Sequence, residues 1–183
     1  MTAKWSVTKI VGDHLRTLVD DRKTRKPIRV RDILAFYGLP LLVLVLIIIP
    51  EFNFSWLAGV PGYRQLAAFR VNGLEGILSG ISIYTALLFG LLVQIFQIKS
   101  RYLDNGEYSS DAMDLNDALE ANVSYAVLTG IIATAYLALV LATTVKDNPA
   151  GRIPSGIIAF LVVHLLVTLF MILKRARSVY SHL

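Results

Sequence analysis

Ile77 to Ile98 reads ILSGISIYTALLFGLLVQIFQI, 22 residues without a formal charge. At a helical rise of about 1.5 Å per residue, this stretch crosses a hydrocarbon core of about 30 Å. In lipid every backbone N–H and C=O must be paired within the segment, so an apolar run of this length is a helix. Barrel strands would alternate in hydrophobicity, and no such alternation occurs. The fold class is therefore an all-α integral membrane protein. The whole chain agrees: 183 residues, 55% hydrophobic and 17% charged, suit one compact membrane domain. The absence of cysteine excludes disulfides and thiolate metal sites.

Around that stretch, Glu75 opens the helix and Gly76 and Gly80 form a small-xxx-small pair that lets another helix approach. Gln94 and Gln97 share a face near its other end. They are expected to point into protein or a water-filled space, because an amide in lipid lacks partners. Upstream, residues 50–73 contain Trp56, Pro61, Tyr63 and the interfacial-looking run EFNFSWL, which suits a short re-entrant or surface helix. Before it, an earlier span covers about 33–49, with a kink expected at Pro40 and with Phe36 and Tyr37 at the interface.

Downstream, residues 99–122 change character. After Arg101 come Asp104, Glu107, Asp111, Asp114, Asp117 and Glu120 with no basic residue. Ser109 and Ser110 offer helix caps, so a helix should start near Ser110 and run on into a third span at 123–145. Asp111, Asp114, Asp117 and Glu120, spaced by three, wind around that helix without lining up as a cation cage, and no EF-hand pattern is present. They read as a solvated or partner-facing surface. Ala126, Gly130, Thr134, Ala138 and Ala142 recur at intervals of four and predict a smooth face for helix packing. A fourth span at 153–173 ends in Lys174, Arg175 and Arg177, with a tail at 176–183.

The first 32 residues are basic. Val7, Ile10, Val11, Leu15, Leu18 and Val19 are spaced by three or four but interrupted by Lys9, Asp13 and Arg16, which is an amphipathic helix and not a signal peptide. Such a helix lies in the interface plane or packs on the ends of its neighbours. Arg22, Lys23, Arg25, Lys26, Arg29 and Arg31 follow around the helix-breaking Pro27. A run like this before a span attracts anionic lipid at about 1 kcal/mol per charge and signals topology; nucleic acid is not directly indicated. Lys and Arg number 14 on the side holding both termini and the 99–122 segment, against four on the other. The positive-inside rule then places both termini and the acidic 99–122 segment in the cytoplasm.

Chemistry has few places to hide. His164 sits mid-way along the fourth span, where an ionisable group is a functional candidate. With Tyr84, Thr85, Thr134 and Tyr136 it could form one polar layer, as a neutral imidazole bonded to a tyrosine or as a proton-sensing or pore-lining group. His14, His164 and His182 fall in different segments, and no spacing brings them together. No HExxH, GxSxG or Walker loop is present, so neither an enzyme nor a cofactor is expected.

In its size, four-span layout, basic N-terminus and polar middle segment, and in the stretches RDILAFYGLPLLVLVLI and ISIYTALLFGLLVQIFQ, the chain resembles the small four-helix membrane proteins of bacterial anti-phage defence systems, of which the membrane subunit of the Kiwa system is an example. The resemblance implies an inner-membrane homo-oligomer that responds to infection and engages a cytosolic protein partner. It carries over no functional residue. Two functions are therefore expected: a non-enzymatic sensor or anchor that recruits a cytosolic partner, and an oligomeric channel with Gln94, Gln97 and His164 near its water path.

Overall fold

The computed structural model describes residues 6–19, 34–52, 68–105, 110–144 and 149–180. Every regular element among them is helical. Helix α1 is Val7–Val19, and a π-helical turn at Leu34–Gly38 leads into α2, Leu39–Ile48, which tightens into a 3-10 turn at Ile49–Phe52. The long helices are α3, Leu74–Asn105, α4, Ser110–Thr143, and α5, Arg152–Tyr180.

Three stretches are long and apolar enough to cross a membrane: Leu74–Arg101, Asn116–Thr143 and Arg152–Lys174. They contain nearly all of three of the expected spans, and α4 begins at Ser110 as its capping residues suggest. The remaining apolar helix, Phe36–Ile48, is shorter. Pro40 explains part of this. It occupies the first turn of α2, where a missing N–H breaks no helical bond, and the irregularity expected there takes the form of a change from π to α winding. The aromatic segment at 53–67 and the basic run Arg22–Arg31 lie outside the described residues.

The helices pack in an open series: α3 on α4, α4 on α5, and α5 on α2, with α1 lying against α4. One core joins Ile81 of α3, Ala133, Leu137 and Val140 of α4, and Ile158 and Leu165 of α5. Toward the other end, Leu88, Leu92 and Ile95 meet Val123, Ala126 and Val127, with Ile172 from α5. Two glycines set the close approaches. A Cβ at Gly130 would collide with the Thr85 side chain of α3, and one at Gly156 would lie 3.0 Å from Ile48 of α2.

The small-residue stripe on α4 serves only over half its length. Ala126 and Gly130 are buried, Thr134 is half-buried, and Ala138 and Ala142 are exposed. Steps of four advance about 40° beyond a full turn, so the stripe winds off the contact face. At the 74/143/152 end a polar tie holds the chain before α3 to the start of α5. The Val71 amide donates to Ser155 Oγ at 3.0 Å, and the Ala150 amide donates to the Val71 carbonyl at 3.2 Å. Gly73, in the left-handed region at φ +67°, then turns the chain into α3.

Candidate functional site: a buried imidazole and phenol cluster

About midway along α4 four elements converge. His14 of α1 is fully buried, and α1 lies against α4. Its Nδ1 is 2.9 Å from Asn122 Oδ1. Asn122, also fully buried, donates its amide nitrogen to the Ala118 carbonyl at 2.6 Å, so its oxygen faces the imidazole and His14 carries its proton on Nδ1. The Thr17 hydroxyl donates to the His14 carbonyl at 2.6 Å and lies 3.1 Å from Asn122 Oδ1.

One turn along α4, Tyr125 joins this pair to α5. Its ring stacks on His14 with centroids 3.8 Å apart and planes 3° from parallel, and its hydroxyl is 2.8 Å from His164 Nε2. Phe36 of the π-helical turn, 3% exposed, lies 5.2 Å from the His14 ring and 5.0 Å from the His164 ring. Tyr37 and Phe160 complete an aromatic enclosure around His164 at 5.6 Å and 5.7 Å. Two imidazoles are thus joined through one phenol, by stacking on one side and a hydrogen bond on the other. With His164 only 3% exposed, the arrangement fastens α1 and the π-helical turn to α4 and α5.

His164 therefore has the tyrosine partner that its position invites, but that partner is Tyr125. Tyr136 lies eleven residues further along α4, about 16 Å away along the axis, and packs in the other core. The buried Tyr84 hydroxyl and Thr134 Oγ1 have no hydrogen-bond partner among the described residues, and Thr85 bonds its own helix at the Ile81 carbonyl. Gln94 and Gln97 are both exposed on the outside of α3, because that helix turns Leu88, Leu92 and Ile95 inward.

The acidic set is divided. Lys99 at the end of α3 binds Asp117 at 2.6 Å and Glu120 at 2.8 Å, tying α3 to α4. Asp111 and Asp114 lie in the first turns of α4. Among the described residues, no group of three His, Asp or Glu side chains could hold a metal ion.

Sequence reasoning missed His14, Asn122 and Tyr125. A signal existed in each helix. His14 interrupts an otherwise apolar face of α1, and Asn122 and Tyr125, three apart, share one face of α4. What no spacing supplies is the pairing of two helices more than one hundred residues apart. No protein-family model, curated protein or solved structure matches the chain.

Proposed function

We propose that the chain is a non-enzymatic membrane anchor or sensor, working as a homo-oligomer in the inner membrane, whose cytosolic side recruits a soluble protein. In this reading α2 and its flanking turns make the first of four crossings. The 14-to-four distribution of basic residues supports a cytosolic placement of both termini and of α1.

The observation that carries this reading is the locking of α1 onto α4 through His14 and Asn122. It holds the helix that precedes the basic run against the helix that begins with Asp111 and Asp114, which supports a recruiting surface that carries charges of both signs. Such a surface gives a partner orientation and salt-sensitive binding. The anti-phage setting rests on the resemblance alone.

The test is purification from the native host in mild detergent, with oligomer mass and bound proteins read together by mass spectrometry. A stoichiometric soluble companion, lost when Asp111→Asn and Asp114→Asn are combined while membrane insertion persists, is the expected result. Unchanged recovery of the companion counts against the acidic surface. A pore lined jointly by Gln94, Gln97 and His164 is disfavoured, since the glutamines face outward and His164 is enclosed by Phe36, Tyr37 and Phe160.

A further inference from the structure

The face of α3 turned away from α4 carries a seven-residue repeat. Gly76, Gly80, Ile83, Leu87, Gly90 and Gln94 follow at alternating intervals of four and three, Gln97 continues the series, and all are exposed. Steps of four and three average 3.5 residues, the period at which a helix keeps one seam against a like helix. The side chains that α3 buries, Ile81, Leu88, Leu92 and Ile95, lie on the other side of the helix.

A surface meant for lipid looks different. On α5 the outward residues include Leu166, Phe170 and Leu173, large and wholly apolar. The α3 seam instead presents bare backbone at three glycines and side-chain amides that hydrocarbon cannot satisfy. Nor does packing among the described residues call for those glycines. A Cβ added at Gly76, Gly80 or Gly90 meets nothing within 4 Å there, whereas one at Gly130 strikes Thr85. Glycine in a helix interior costs about 1 kcal/mol relative to alanine, and here no neighbour among the described residues accounts for it.

We propose that this seam is the interface between two copies of the chain, packed in parallel about a two-fold axis. The amides favour a second copy over a foreign helix. Glutamine is both donor and acceptor, so a two-fold axis sets Gln94 against the same residue of the other copy and satisfies both with one sequence. The glycines let the backbones close in on either side of the Ile83 and Leu87 layers. The inference depends on the membrane placement proposed above but not on recruitment of a soluble partner.

Because the chain has no cysteine, single cysteines report proximity directly. In carbonate-washed membranes, Leu87→Cys should form a disulfide-linked dimer on mild oxidation, while Phe170→Cys on the outside of α5 stays monomeric. Adding Gly80→Ile to Leu87→Cys should reduce the dimer about tenfold or more. Adding Gln94→Leu should weaken it about threefold, the effect of one average interhelical hydrogen bond in lipid. Equal linkage from both cysteines, or linkage undiminished by Gly80→Ile, overturns the seam. Retention in washed membranes without a Leu87→Cys dimer defeats the seam alone; loss from the washed membranes defeats the membrane reading and the seam with it.

Discussion

Helices α3 and α4 each contain a 28-residue stretch of almost equal apolar character, yet 17% of the most apolar window is buried in α3 and 39% in α4. Hydropathy finds both helices and cannot tell them apart. The difference lies in their polar and small residues. On α4, Asn122, Tyr125 and Gly130 all face partners within the chain. On α3, Gly76, Gly80, Gly90, Gln94 and Gln97 face outward. In a membrane, where apolar side chains fit lipid as well as they fit protein, small and polar residues decide which helices become neighbours.

The same substitution on the two helices breaks this comparison most sharply. Gly130→Ala should cost about 1–3 kcal/mol by overpacking against Thr85, read as lowered thermal stability in detergent. Thr85→Ala in the same chain should recover most of that loss, giving a coupling in a double-mutant cycle. Next, Asn122→Leu leaves the buried His14 without its acceptor, at about 1–3 kcal/mol. The loss should fall on α1, as amide exchange about tenfold faster or more in Val7–Val19 with α3 unchanged. Tyr125→Phe removes the hydroxyl that bonds His164, at about 0.6 kcal/mol for one such bond. Smallest is Gly76→Ala, which meets open space; the thermal stability of the monomer should stay the same or rise by less than about 1 kcal/mol.

How much of this was legible follows from the same physics. A long uncharged run has one outcome in lipid, so Ile77–Ile98 and its two later counterparts read directly as helices, and Ser110 marks a start because capping is local. Pairing is not local. The stripe on α4 indicated a contact face, and Gly130 does meet Thr85, but the stripe drifts off that face after two turns. The His14 cluster was out of reach for the same reason. His14 and His164 each stand out in their own segments, but only the packing of α1 and α5 on α4 brings both to Tyr125. Gln94 and Gln97 face outward on α3, and the expectation that an amide seeks protein does not say whose protein.

The His14 to Asn122 contact joins residues 108 positions apart, one near the start of the chain and the other in α4, the second of the three long helices described. During synthesis at roughly 5–20 residues per second, α1 emerges roughly 5–20 seconds before its acceptor has been made. Through that interval its apolar face has no α4 to cover it, and it needs some other cover, whether a chaperone, the insertion machinery or the membrane surface itself. The mature fold closes only after its second long apolar helix has begun to form, which makes docking of the first helix a late step in the birth of the protein.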